Sequence, residues 1–136
     1  LSAPRVSIEG PIYGQHKQHV LRNSEVFVLL SHSENFAMAV GEALASGTPA
    51  LVSRGTPWSG LPQREAGWWI ENTHDSISRS LEKIMAMPKS KLKNMGDNGR
   101  HWMLEEYAPE KITEAFCETY RWLLGNQEAP DCVIFD

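Results

Sequence analysis

Glu34 and Glu42 flank the stretch Asn35-Phe36-Ala37-Met38-Ala39-Val40-Gly41, with seven residues between them. Ser31 to Phe36 reads as a loop, and from Ala37 to Ser46 the pattern turns helical. Val40, Ala43 and Leu44 recur at i, i+3, i+4, Gly47 supplies the stop and Pro49 lies just beyond. A helix that opens here presents unpaired backbone N–H groups and the positive end of a dipole, which suits a phosphate. Glu42 sits among Ala39, Val40, Gly41, Ala43 and Leu44, and a carboxylate in such company is costly unless it meets a donor. A ribose diol, with two hydroxyls to give, would satisfy it. Backbone N–H groups, Arg54 or Lys17 would also do so.

These residues need a scaffold, and the first half of the chain supplies a plausible one. Val6-Ser7-Ile8 reads as a short strand closed by Gly10-Pro11, and Gln15 to Asn23 as a short helix. Val26 to Leu30 is a continuous apolar run, the pattern of a parallel strand covered on both faces. Ala50-Leu51-Val52 is the next strand, Thr56-Pro57-Trp58 a loop and Gly67-Trp68-Trp69-Ile70 a fourth strand. The ligand-bearing loops of open α/β sheets lie at the carboxyl ends of strands. Gly10 to Gly14, Ser31 to Phe36 and Ser53 to Trp58 all fit that description.

The second half is helical, with three apolar stripes expected to be core. They are Ile77, Leu81, Ile84 and Met85, ended by Pro88; Leu92, Met95, Gly99 and Trp102; and Ile112, Phe116, Tyr120 and Leu123, between Pro109 and Gly125. Residues 1–125 form one expected domain, and 126–136 a tail that could end in a strand at Cys132 to Phe135. The expected fold is α/β, a partial Rossmann-like parallel sheet of about four strands with packing helices.

Composition narrows the function further. The 136 residues are 41% hydrophobic and 22% charged, with a net charge of −4 and a pI near 5.7. No Lys/Arg run offsets that acidity, so nucleic acid is not an expected partner. No apolar stretch approaches the roughly 20 residues that span a bilayer. The opening residues Leu1 to Pro4 lack the pattern of a signal peptide and an initiator Met, which suggests residues upstream. Cys117 and Cys132 read as reduced thiols of a cytoplasmic protein. His16 and His19 could share a helix face, but no third ligand lies at metal-site spacing, so no metal is expected.

The run Ser33-Glu34-Asn35-Phe36 … Glu42-Ala43-Leu44-Ala45-Ser46-Gly47-Thr48-Pro49 resembles the E-x7-E segment of the large GT-B glycosyltransferase family (glycosyltransferase family 4, "glycosyl transferases group 1" type). A bare E-x7-E would be weak; the E-N-F and E-A-L-A-x-G-x-P context after an apolar strand makes it specific. The likeness extends to Gly10-Pro11, Val26 to Leu29, Thr56-Pro57-Trp58, Gly67 to Ile70, Met95-Gly96 and Gly99-Arg100, covering roughly residues 5 to 124.

The resemblance implies a retaining transferase that moves a sugar from a nucleotide-diphosphate donor to a glycan or lipid-linked acceptor. It implies no metal or other cofactor, and a place in the cytoplasm or at the inner membrane surface. Glu42 is expected to hold the ribose hydroxyls of the nucleotide sugar. Glu34 is the candidate catalytic residue, near the transferred sugar. Asn35, Phe36, Ala37 and Met38 are expected to offer backbone amides to the diphosphate or sugar, and Pro11, Ile12 and Tyr13 to lie near the nucleobase. Ala37 stands where many members have Gly, and Leu30 replaces a usual Pro.

By resemblance, the family's Arg/Lys diphosphate clamp and acceptor-binding N-terminal domain belong before Leu1. The chain alone is therefore not expected to catalyse transfer. In the family's strand order 3-2-1-4-5-6, Val6–Ile8 aligns with strand 3 and Val26–Leu30 with strand 4, so the central strands between them are missing. The open edge could recruit Val6–Ile8 or a second copy of the chain, giving a homodimer. Two alternatives differ in class: a stand-alone, non-catalytic nucleotide-sugar-binding module, and an interaction protein using an exposed Trp58 and Trp68–Trp69 region.

Overall fold

A computed structural model describes residues 6–134. The order of elements is α1 (Gly14–Asn23), β1 (Phe27–Leu29), α2 (Met38–Ala45), β2 (Ala50–Ser53), β3 (Gly67–Ile70), α3 (His74–Met85), α4 (Lys89–Glu106) and α5 (Pro109–Leu123). The strands form one parallel sheet in the order β1-β2-β3, with Val28 opposite Leu51 and Leu51 opposite Trp68.

β2 is the central strand and all four of its residues are buried. Its alternation divides the core, as the period of two requires. Ala50 and Val52 join Val40 and Leu44 of α2, Trp58 and Leu61 of the following loop, and Trp102 and Met103 of α4. Leu51 belongs to the other face, with Ile84 of α3 and Leu92 of α4.

α2 ends as the sequence indicates. Gly47 takes φ +83°, its N–H donates to Leu44 O at 2.9 Å, and Thr48 N–H donates to Ala43 O at 3.0 Å. This paired closure satisfies the helix's last carbonyls. α4 then approaches α2 through its glycines. A Cβ on Gly96 would lie 1.9 Å from Gly47 O, and one on Gly99 would lie 2.7 Å from Leu44 Cδ2. α3 is capped by Thr73, whose hydroxyl accepts from Ser76 N–H at 3.3 Å.

Several expectations need correction. The expected parallel α/β sheet is present, but among the described residues it has three strands rather than about four, because Val6–Ile8 is not a strand; Val6 and Ile8 are 80% and 95% exposed. The run at 26–30 is not covered on both faces: β1 is an edge strand with Val28 exposed, since among the described residues only β2 pairs with it. The stripe Ile112, Phe116, Tyr120 and Leu123 is exposed, and α5 buries none of its residues. Met85 is exposed as well, one position off the face that buries Ile84. Trp58, an expected surface contact, is 1% exposed, because the loop after β2 folds inward over α2. Cys132 to Ile134 form no strand, with Val133 N–H closing a turn on Pro130 O; Phe135 lies outside the described residues.

Candidate functional site

The loops after β1 and β2 are stitched together at the carboxyl ends of the strands. Glu34 N–H donates to Gly55 O at 2.8 Å, and the Ser53 hydroxyl donates to Ser31 O. Gly55 is required by this approach, since a Cβ there would sit 2.3 Å from His32 O. Asn72 Nδ2 adds a bond to Leu30 O at 3.2 Å. The loop that carries Glu34 is thereby anchored to both neighbouring strands' exits. The Glu34 carboxylate accepts from the Ser31 hydroxyl at 2.6 Å, a contact within its own loop.

Ala37 takes the left-handed conformation, φ +58° and ψ +61°, immediately before α2. Non-glycine residues visit this region rarely, and it is a mild strain for alanine. This is the physical reason a glycine suits the position. α2 has no side-chain cap, and Val40 N–H turns back on Ala37 O at 2.8 Å. Asn35, Phe36 and Met38 are exposed beside that helix start, and Ala37 is half-buried.

Glu42 lies four residues beyond Met38, about 6 Å up the helix axis. Its partner is Lys17 of α1, with Nζ 2.7 Å from Oε1, and both side chains remain partly open to solvent. Arg54, the other candidate partner, instead pairs with Glu71 at 2.6 Å and lies over the Trp69 ring. Lys17 and Glu42 border a cleft of about 410 Å³ between α1, α2 and the open edge of β1. Ile12 lines the same cleft, along with Val20, Val28 and Ala39. The structure thus brings Ile12 to Glu42. Pro11 and Tyr13 are exposed, and Tyr13 instead serves as the extended residue before α1.

Below the start of α2 lies an aromatic cluster that sequence reasoning missed. Trp58 Nε1 donates to Phe36 O at 2.7 Å, and its ring lies 5.2 Å from Phe36, 5.5 Å from Trp102 and 5.8 Å from Tyr107. Burial raises the Tyr107 phenol above its ordinary range, with the Glu106 carboxylate adding to the effect. The signal was present in Thr56-Pro57-Trp58, a large aromatic in a loop at the ligand end of a strand.

A parallel sheet with helices packed on it makes the chain an α/β protein, and in open sheets of this kind ligands bind at the strand exits, where Glu34 and the start of α2 lie. The family described as glycosyl transferases group 1 matches residues 4–102, and the chain belongs to it. It is 28% identical over 114 residues to N-acetyl-alpha-D-glucosaminyl L-malate synthase of Bacillus anthracis, covering 80% of this chain and 29% of that protein. It is 26% identical over 113 residues to MMP alpha-(1->4)-mannosyltransferase of Mycolicibacterium hassiacum, covering 81% and 27%. The chain thus spans less than a third of the curated relatives it matches. No solved structure matches significantly. Among the described residues, no helix is long and apolar enough to cross a membrane.

Proposed function

We propose that this chain carries part of the nucleotide-sugar donor site of a retaining glycosyltransferase. The observation that carries the reading is the uncapped start of α2, opened by the left-handed Ala37 at the strand exits, with Glu34 before it and Glu42 inside it. Backbone amides of Asn35, Phe36, Ala37 and Met38 receive the diphosphate or sugar, where fixed dipoles stabilise charge on the departing group. Glu34 faces the transferred sugar. Glu42 accepts from the ribose diol; Lys17 occupies its Oε1, and Oε2 remains to receive a hydroxyl. Ile12 lies beside the nucleobase, in the cleft that Glu42 borders. The reaction requires no metal.

The transfer itself, to a glycan or lipid-linked acceptor, belongs to a protein of the relatives' full length, and this segment contributes donor binding. We place it in the cytoplasm, as its two free, exposed thiols favour a reducing compartment. Saturation-transfer NMR against a panel of UDP-, GDP- and ADP-sugars, extended to millimolar concentration, tests the reading. Glu42→Ala should weaken the bound sugar nucleotide by roughly 1.5–3 kcal/mol, the scale of hydrogen bonds to a charged group. Equal affinity for ribo- and 2′,3′-dideoxyribo-nucleotides would remove the diol from the assignment.

A further inference from the structure

Ala37 holds a backbone conformation that alanine does not favour, so something in the fold must hold it there. α2 begins at the next residue, and the direction of its first amides depends on the φ and ψ of Ala37. Nothing in the helix itself fixes that direction, because no side chain caps it.

The neighbouring residue supplies the constraint. The carbonyl of Phe36 forms the peptide that leads into Ala37, and it accepts the indole N–H of Trp58 at 2.7 Å. Trp58 is itself 1% exposed and cannot easily move. Its ring meets Trp102 edge-on, and a Cβ on Gly41 of α2 would lie 3.6 Å from its six-membered ring. The Phe36 ring closes over the same indole at 5.2 Å. One buried side chain therefore grips the carbonyl before the strained step and also packs on the helix after it.

We propose that Trp58 is a positioning residue for donor binding: its indole N–H holds the Phe36–Ala37 peptide so that Ala37 stays left-handed and the α2 amino terminus faces the diphosphate. The role rests on the donor-site reading above, but the conformational part stands apart from it. Trp58 touches no ligand in this account; it acts through Phe36 and Ala37. Trp58→Phe removes the N–H and keeps an aromatic ring in the core. Ala37→Gly relieves the strain, because glycine occupies the left-handed region without a steric penalty.

The test is a double-mutant cycle on the full 136-residue chain, comparing wild type, Trp58→Phe, Ala37→Gly and the pair. Leu92→Val, in the separate core beneath the sheet, controls for lost stability alone. The intraresidue amide–Hα NOE at residue 37, strong only at positive φ, is read with the three-bond amide–Hα coupling in wild type and Trp58→Phe. UDP-, GDP- and ADP-glucose affinities are read by saturation-transfer NMR in all five proteins. Trp58→Phe should abolish the strong Ala37 NOE and weaken the best-binding sugar nucleotide about tenfold, the worth of one hydrogen bond that fixes geometry. In the Ala37→Gly background the same substitution should cost only about twofold, a non-additivity expected of residues acting through one backbone step. Leu92→Val should lower the melting temperature without changing affinity.

An unchanged Ala37 NOE and coupling in Trp58→Phe would overturn the proposal, as would equal losses of affinity in both backgrounds. If wild type binds none of the three nucleotides, the donor-site reading fails. The NOE then still decides whether Trp58 sets the Ala37 conformation. Should Trp58→Phe not fold alone, the NOE is read in Trp58→His, whose ring can still donate an N–H. Loss of the strong Ala37 NOE there, with the fold intact, would sink the hydrogen-bond account.

Discussion

α2 and α5 carry apolar residues at the same helical spacing, yet they end in opposite environments. Val40, Ala43 and Leu44 of α2 are fully buried. Ile112, Phe116, Tyr120 and Leu123 of α5 are between 42% and 65% exposed. The difference lies in what each helix faces. α2 crosses between β1 and β2, and α4 closes over it because Gly96 and Gly99 let two backbones approach within contact of each other. α5 follows Tyr107, opens at Pro109 and packs only lightly on α4, its Phe116 and Tyr120 rings stacked on one another at 6.5 Å. Periodicity therefore marks the face that favours burial; a complementary surface decides whether burial occurs.

The largest effect should come from disturbing the close approach. Gly96→Ala places a Cβ 1.9 Å from the Gly47 carbonyl, a backbone atom that cannot rotate away. Relieving the clash requires α4 to lift from α2, which separates Trp102 and Met103 from the main core. The expected loss is at least about 3 kcal/mol, the upper part of the overpacking range. Against the roughly 5–15 kcal/mol that holds a domain together this is a large fraction, and it should lower the melting midpoint by on the order of 10 °C. Phe116→Ala on α5 should change stability by under about 0.5 kcal/mol, as surface substitutions do. Circular dichroism melts of both variants check the contrast. A Gly96→Ala midpoint within 2–3 °C of wild type, roughly the shift of about half a kcal/mol, would mean that the glycine contact is not what separates the two helices.

A second effect, of intermediate size, concerns the edge of β1. Val6–Ile8 does not pair there, so the edge stays open beside an apolar cleft lined by Val20, Val28 and Ala39. An open edge recruits strands, and a second copy of the chain can supply one. Size-exclusion chromatography with light scattering should show association that grows with concentration, and Val28→Lys should shift the population toward monomer. A wild-type chain that stays strictly monomeric at high concentration would remove the homodimer reading.

The sheet was legible wherever pattern and partner coincide. The runs at 26–30, 50–52 and 67–70 mark all three strands, and Gly47 with Pro49 marks the end of α2 because a left-handed glycine closes the helix there. Val6-Ser7-Ile8 has strand-like residues but does not pair with the open edge of β1, and three residues cannot bury enough surface to order themselves alone. At the candidate site, the start of α2, with Glu34 before it and Glu42 inside it, was legible in the sequence. The choice of Lys17 over Arg54 was not, because it depends on how α1 lies against α2. Trp58 carried a chemical hint, but its hydrogen bond to Phe36 O spans 22 residues and two loops, a long-range contact that no local pattern encodes.

The smallest effect probes the dense corner through its one perturbed phenol. Tyr107 sits at the end of α4 with its ring 5.8 Å from Phe36 and 6.1 Å from Trp102, half in the core and half in solvent. Burial disfavours its ionised form, the Glu106 carboxylate repels that form, and Arg64 offsets part of the repulsion. Its folded-state pKa is therefore raised above the ordinary 10.0 of the unfolded chain. The unfolded chain then releases this proton first as pH rises. The phenol's contribution is fully present below pH 10 and is lost as pH climbs through the raised folded value. The melting temperature of wild type should fall more steeply above pH 10 than that of Tyr107→Phe, while the two curves run parallel between pH 7 and 9. Spectrophotometric titration at 295 nm should find a phenol ionising above the ordinary range that disappears in Tyr107→Phe. Parallel melting curves across the whole alkaline range would show that Tyr107 ionises as freely as a surface phenol. The aromatic corner would then be as open to solvent as α5, and the contrast between the two regions would shrink to the glycine contact alone.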